Sequence, residues 1–324
     1  MSATVDAEAG VRADPAFRRD VLRGLAQAQK AIPARWFYDL RGSELFEQIT
    51  ELPEYYPTRT EIALLKQHAA DIAAYVGRGR AVVEFGSGSS TKTPLLLHAI
   101  APSAYVPIDI SGEFLRDSAS RLAATFPDLP IAPVEGDFTR PLALPSMAGA
   151  GLPLGFFPGS TIGNGSAFSS VDLLRAMAET LGPDALLLIG IDRRKPLAVL
   201  LSAYDDAVGV TAAFNLNLLV RINNELDGDI PVERFRHRVS WNDGQNRIEM
   251  HLAAQDDIAF TVAGQRFAMR AGETIHTENS HKYSRDEALL LLRAAGWQVE
   301  EDWADDAGWF GLYLARRSPP SIQD

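Results

Sequence analysis

The chain has 324 residues, 46% hydrophobic and 23% charged, a balance that supports a buried core in one large or two ordinary domains and excludes fibrous and disordered classes. Its 31 basic and 42 acidic residues give a net charge of −11, without the basic stripe that a phosphate backbone demands, so nucleic acid is not an expected partner. There is no cysteine, which removes disulfides, thiolate metal ligands and cysteine nucleophiles and fits a reducing, cytoplasmic location. Met1 to Asp14 lack the basic start and apolar run of a secretory leader, and no stretch approaches the ~18 apolar residues of a membrane span.

The spacing of Phe17, Val21, Leu22 and Leu25 predicts an amphipathic helix within 15–32, ending before Pro33. From Trp36 to Arg59 aromatics and prolines crowd together, a packed irregular segment or a binding surface. Ile62, Leu65, His68 and Ile72 then predict a helix over 60–75. Strands are expected at 81–85, 105–109, 131–134, 154–157 and 185–191, alternating with helices at 93–100, 113–126 and 171–181. That alternation argues for a parallel, doubly wound α/β sheet. After Lys195 it breaks, and 199–264 mixes a helix with strand-like runs such as 247–252, which suggests a second, α+β domain. A helix at 285–295 and two strands, 297–303 and 309–315, joined by Asp305-Asp306-Ala307-Gly308 finish the chain. Strands so closely joined must pair antiparallel. A parallel core closed by an antiparallel hairpin is the layout of the class I methyltransferases. No internal repeat is seen.

The turn Gly86-Ser87-Gly88 joins strand 81–85 to the next helix, a cradle in which backbone N–H groups and a helix N-terminus can face a ligand. A dinucleotide site would place a third glycine where Thr91 stands. A P-loop is nearly matched through Thr91-Lys92-Thr93, but Thr91 again replaces a required glycine, and Glu84 would repel a polyphosphate. S-adenosylmethionine is cationic and carries no phosphate, so the pattern acid-x-Gly-x-Gly at 84–88 suits it. Asp109, ending the next strand, stands where a carboxylate takes ribose hydroxyls. Asp137 could accept from the adenine amine and Phe138 flank the base. The lesser alternative is that these are loop carboxylates and turn glycines of another α/β enzyme.

Longer motifs carry more. Trp36-Phe37-Tyr38-Asp39, the run from Leu52 to Glu61, Gly159-Ser160-Thr161-Ile162-Gly163-Asn164, Ala203-Tyr204-Asp205-Asp206, the run from Gly209 to Asn215 and Arg247-Ile248-Glu249-Met250 together resemble the ergothioneine-pathway histidine Nα-methyltransferases over about residues 17–316. The resemblance implies three methylations of the histidine α-nitrogen by S-adenosylmethionine, through mono- and dimethylated forms, to trimethylhistidine (hercynine). It implies a methyltransferase domain from 61–196 and 285–324 and a substrate domain from 1–60 and 197–284. Asn164 and Tyr204 would hold the substrate carboxylate and orient the amine, with Tyr55 nearby and the Gly159 carbonyl near the amine. Glu278 and Ser280 would read the imidazole, with Met250 lining its pocket. Tyr38, Gly86, Lys92, Asp109, Asp137 and Phe138 match cofactor-side positions, beside Glu84 and Gly88 of the glycine turn. Tyr38 would also border the amine.

An imidazole presents two nitrogens, so a carboxylate and a hydroxyl two residues apart on an extended segment can bind both. Methyl transfer from a sulfonium is an in-line displacement, so the enzyme chiefly orients the nitrogen lone pair. An α-ammonium titrates near ~8, so water or Tyr38 suffices to relay its proton and no metal is expected. A membrane partner is not expected, and the chain is read as a monomer.

Without the resemblance, duller readings stand. Tyr55 could be packing, Asn164 a turn residue, Tyr204 a core edge and Glu278 a solvated charge. His276, Glu278 and His281 could suggest a metal site, although their spacing matches no strong motif. Two rival functions are an N-methyltransferase of another small aromatic amine such as tryptophan, against which Glu278 and Ser280 argue, and a non-catalytic S-adenosylmethionine-binding protein, against which the intact glycine turn argues.

Overall fold

The computed structural model describes residues 14–149 and 152–318. The reading of the first thirteen residues as free of a leader, and the ends of the expected domains at 1–13 and 319–324, lie outside the described residues.

Strand Ala81–Phe85 lies inside a seven-stranded sheet whose order is Trp297–Ala304, Phe310–Arg317, Leu186–Asp192, Leu154–Phe157, Ala81–Phe85, Ala104–Asp109 and Val134–Glu135. The five strands from Leu186–Asp192 to Val134–Glu135 run parallel, and the last two of the chain pair antiparallel. The chain therefore builds outward from Ala81–Phe85 to one edge, then returns to the other side of that strand. Ligands sit in the crevice at such a switch point, outside the carboxyl ends of the strands. Every residue of Leu186–Asp192 is buried, as a strand covered on both faces requires. Helices Ala167–Leu181 and Arg285–Ala294 cover one face with Val83, Phe85 and Ile189. On the other face, helices Tyr56–Gln67, Ala69–Val76 and Thr93–Ile100 pack against Val82, Phe156 and Leu188.

The expected strands at 81–85 and 154–157 and the helix at 93–100 stand at those positions. Three expectations need correction. The first helix is Pro15–Leu25, capped by the Asp14 carboxylate, and Lys30–Ala31 instead forms a short strand beside Ile275 and His276. The helix expected over 60–75 is two, Tyr56–Gln67 and Ala69–Val76, and the buried stripe of the former runs through Glu61, Leu64 and Leu65. The third parallel strand is only Val134–Glu135, preceded by an isolated bridge at Ile131.

The region after Lys195 forms helices Leu197–Tyr204 and Val210–Glu225, then a second sheet in the order Lys30–Ala31, Thr274–His281, Arg247–Ala254, Phe235–Asn242. In Arg247–Ala254 every second residue is buried, the alternation of a sheet with one face on the core. Ile248, Met250 and Leu252 pack with Phe214, Leu218 and the N-terminal Phe17 and Trp36. No helix among the described residues is long and apolar enough to cross a membrane.

Candidate active site

A cleft of about 1070 Å³ opens at the carboxyl ends of the parallel strands and is walled on the far side by the second sheet. Gly86 and Gly88 both have positive φ, 70° and 49°, a conformation that side chains resist. A side chain on Gly86 would also meet the Phe138 ring at 3.4 Å. The Gly88 N–H donates to Asp109 Oδ2 at 3.0 Å, and the Ser111 N–H to Oδ1 at 3.0 Å. Burial raises the Asp109 pKa, and those two backbone donors oppose the rise. Glu84 Oε2 accepts from Thr93 at 2.7 Å and Tyr105 at 2.6 Å. Burial lifts the Glu84 carboxyl to about 7 in spite of these bonds. A cation beside it would favour the ionised form.

The donor set fits S-adenosylmethionine. Among the described residues Ser87 Oγ, buried on the cleft wall, has no partner, and the space that a Gly88 side chain would fill is open. Phe138 packs edge-on to Phe85 and Phe157 and lines the cleft. Asp137 is already engaged: Arg35 Nη1 donates to Oδ2 at 3.0 Å, and the Thr139 N–H and hydroxyl donate to Oδ1. Arg35 also reaches Asp20 at 2.6 Å, so the N-terminal segment is pinned across the cleft.

A smaller chamber of about 40 Å³ adjoins the cleft and shares Tyr38, Tyr55, Gly159, Asn164 and Glu278 with its wall. Tyr204, Met250 and Ser280 complete it. All eight residues that sequence reading assigned to substrate or amine thus stand around one space. At ~10–15 Å³ per water-sized sphere the chamber holds roughly three, which suits a five-membered ring and is tight for a fused one. Tyr38 is half-buried, and its hydroxyl pKa is raised by desolvation and then by Glu278 and Tyr55. It therefore stays protonated at neutral pH.

A break in register makes this chamber. Ile275 pairs with Leu252 and His276 with His251, but Glu278 pairs with Met250, so Thr277 is an extra residue. Plain alternation from Ile275 would bring Thr277 and Asn279 to the Met250 face; the bulge brings Glu278, Ser280 and Lys282 there instead. Thr277 turns aside and donates to the Met250 carbonyl at 3.0 Å. Among the described residues the Glu278 carboxylate has no hydrogen-bond partner. Burial lifts its pKa to about 7, and the Lys282 ammonium pulls the other way.

Several site residues escaped the sequence reading. Glu61 is fully buried, takes the Lys92 ammonium and accepts the Gly159 N–H at 2.9 Å. It therefore ties the cofactor-side lysine to the loop that bears Asn164. An acid on the buried stripe of a helix was the available signal. Replacing Glu61 with glutamine leaves Lys92 facing a neutral amide, and the loss of unfolding free energy in urea should be about 3 kcal/mol, the lower end for a broken buried pair. An unchanged midpoint would mean that Lys92 is satisfied by solvent.

Asp192, at the end of its strand, accepts from Tyr56 at 2.6 Å, Lys195 at 2.6 Å and Lys282 at 2.7 Å. Burial alone would raise its pKa, yet Lys282 and Lys195 hold it below the usual carboxylate range. Tyr204, expected at the carboxylate end of the substrate, has its hydroxyl 2.7 Å from Ser280 Oγ.

The trio considered for a metal does not converge. His276 Nε2 meets the Glu278 backbone carbonyl, and His281 Nδ1 meets that of Gly163. Glu249, His251 and His276 do bring ligand atoms within 4.8 Å of one another. Arg247 and Asn242, however, already bond Glu249 Oε1.

Comparison with known proteins agrees with this geometry. A family model described as histidine-specific methyltransferase, SAM-dependent, matches residues 17–317. The chain is 42% identical to the histidine N-alpha-methyltransferase of Mycolicibacterium smegmatis, over 93% of this chain and 95% of that one. It is 41% identical to the protein of the same name from Mycobacterium tuberculosis, with the same coverage. Ergothioneine biosynthesis protein 1 of Neurospora crassa is 30% identical over 90% of this chain, which spans 34% of that longer protein. An α/β sheet with its glycine turn at the switch point, a buried acid beside that turn and these similarities lead to one assignment: the chain belongs to the S-adenosylmethionine-dependent histidine-specific methyltransferase family.

Proposed function

We propose that this protein methylates the α-amine of L-histidine three times, giving trimethylhistidine for ergothioneine synthesis, and that it works as a cytoplasmic monomer. The observation that carries the substrate assignment is the small chamber beside the cofactor cleft, where the unpartnered Glu278 carboxylate and the Ser280 hydroxyl share one strand face. A buried acceptor left unpaired costs roughly 1–3 kcal/mol, so a side chain without a ring N–H is disfavoured there.

S-adenosylmethionine, when bound, supplies an electrophilic methyl group beside the glycine turn. The residues of the chain bind and orient the amino acid against it. Asn164 sits on the wall shared by the cleft and the chamber, and we assign it to the substrate carboxylate. Tyr55 and Tyr204, with ring centroids 6.4 Å apart, wall the amino-acid backbone. The Gly159 N–H is committed to Glu61, which leaves its carbonyl for the amine. Tyr38 lines both spaces. Its high pKa rules it out as a base but lets the neutral hydroxyl accept one proton while passing on its own. Tyr38→Phe should therefore lower kcat about tenfold or more between pH 6 and 9, within the range for positioned proton transfer. An unchanged rate at every pH would remove Tyr38 from the relay.

The reaction itself is checked by a mass-spectrometric time course with S-adenosylmethionine and histidine, with tryptophan, phenylalanine and histamine in parallel. Gains of one, two and three methyl groups on histidine alone are expected. Cofactor binding without any histidine product would move the weight to another amine or to a binding role.

A further inference from the structure

Lys282 is buried beneath the chamber, and its ammonium is within 2.8 Å of Tyr204 Oη, 2.8 Å of Ser280 Oγ and 2.7 Å of Asp192 Oδ2. An ammonium has three hydrogens and no lone pair, so all three contacts run outward from it. Ser280 and Tyr204 must both turn oxygen lone pairs toward Lys282 and their hydrogens elsewhere. The two hydroxyls also lie 2.7 Å apart. The phenol is the more acidic, so it donates to Ser280. Ser280 Oγ then accepts twice, from Lys282 and from Tyr204, and its own hydrogen is left for the chamber.

Resting on the histidine reading above, we propose that Lys282 is a positioning residue that makes Ser280 a donor only, so that the chamber takes neutral imidazole with its N–H on Glu278 and rejects imidazolium. A neutral ring offers one N–H and one bare nitrogen, complementary to a carboxylate and a hydroxyl hydrogen. Adding a proton spoils the match wherever it lands. On the ring, it sets N–H against the Ser280 hydrogen. On Glu278, it forces the ring N–H to the Ser280 side, with the same clash.

The groups on the chamber wall do not blur this between pH 6 and 7, and Glu84, lifted to about 7, lies in the adjoining cleft outside the chamber, where S-adenosylhomocysteine is already bound throughout the titration. Burial holds Tyr38, Tyr55, Tyr56 and Tyr204 protonated. Asp192 stays ionised between its two lysines, and Lys195 is lowered by burial only to about 8. His281, next along the strand, is pushed below its usual value by burial.

The test is titration calorimetry of trimethylhistidine with S-adenosylhomocysteine present, at pH 6 and 7 in buffers of different ionisation enthalpy. The quaternary nitrogen of that probe has no proton to lose, so only the ring and the chamber report. At pH 6 a free imidazole of pKa ~6.5 is about three-quarters protonated. Wild-type binding should therefore release about 0.8 proton from the ring, and more if Glu278 also ionises. Lys282→Met should raise KM for histidine at pH 8 at least tenfold, lower kcat less than threefold, and halve the proton release or more. Should that variant fail to bind S-adenosylhomocysteine, Ser280→Ala leaves the buried charges in place and should also reduce the release. Proton uptake or no exchange by the wild type, or a wild-type KM and pH profile in the variants, would overturn the assignment. If wild-type protein turns over no histidine at any pH, the functional reading falls and this one with it; turnover with pH-independent binding sinks only the role of Lys282.

Discussion

Glu278→Ala is expected to lower kcat/KM for histidine by ~10²–10⁴ while leaving S-adenosylhomocysteine affinity within threefold. The carboxylate has no donor among the described residues, and on the proposed reading its partner is the ring N–H of the substrate. With alanine there, the ring N–H would enter a buried space without an acceptor. Glu278→Gln keeps the volume and one carbonyl acceptor and should lose only about 10–100-fold, the span between a weakened and a missing buried hydrogen bond. Steady-state kinetics with calorimetry of the cofactor product separate the two effects. Alanine activity within a few-fold of wild type would show that histidine is read elsewhere.

The second large effect is expected at Asp109. Its two oxygens accept the N–H groups of Gly88 and Ser111, so one side chain closes the glycine turn, and we assign the ribose hydroxyls to the same carboxylate. Asp109→Ala removes both the turn contact and the hydroxyl acceptor. Affinity for S-adenosylhomocysteine should fall ~100-fold or more, two charge-assisted hydrogen bonds at ~1.5–3 kcal/mol each being ample for that. Asp109→Asn, which keeps one acceptor oxygen, should fall between the two. Calorimetry measures the affinity, and far-ultraviolet circular dichroism checks that the sheet survives. Tight binding by a folded alanine variant would place the ribose against another group.

The parallel strands were readable because each is a short buried run closed by turn residues, and such signals are local. Ala81–Phe85 and Thr93–Ile100 stand where the residues put them. The glycine turn and Asp109 were readable for the same reason, since the turn follows its strand directly and Asp109 ends the next one. Glu61 was hidden because its partners, Lys92 and Gly159, lie 31 and 98 positions away. Lys282 was hidden for a related reason: beyond Ser280, two residues before it, its value lies in Asp192 and Tyr204, which reach it from separate elements.

By itself the sequence determined the α/β class, the antiparallel close, the glycine turn with its preference for a cation, and through long motifs the residues that line the chamber. Tertiary structure alone decided which way they face. Strict alternation along Thr274–His281 would send Glu278 and Ser280 to the face opposite Ile275, and one unpaired residue, Thr277, reverses that. A bulge is set by pairing with the neighbouring strand, 27 residues away at Met250, and no period within the strand itself records it.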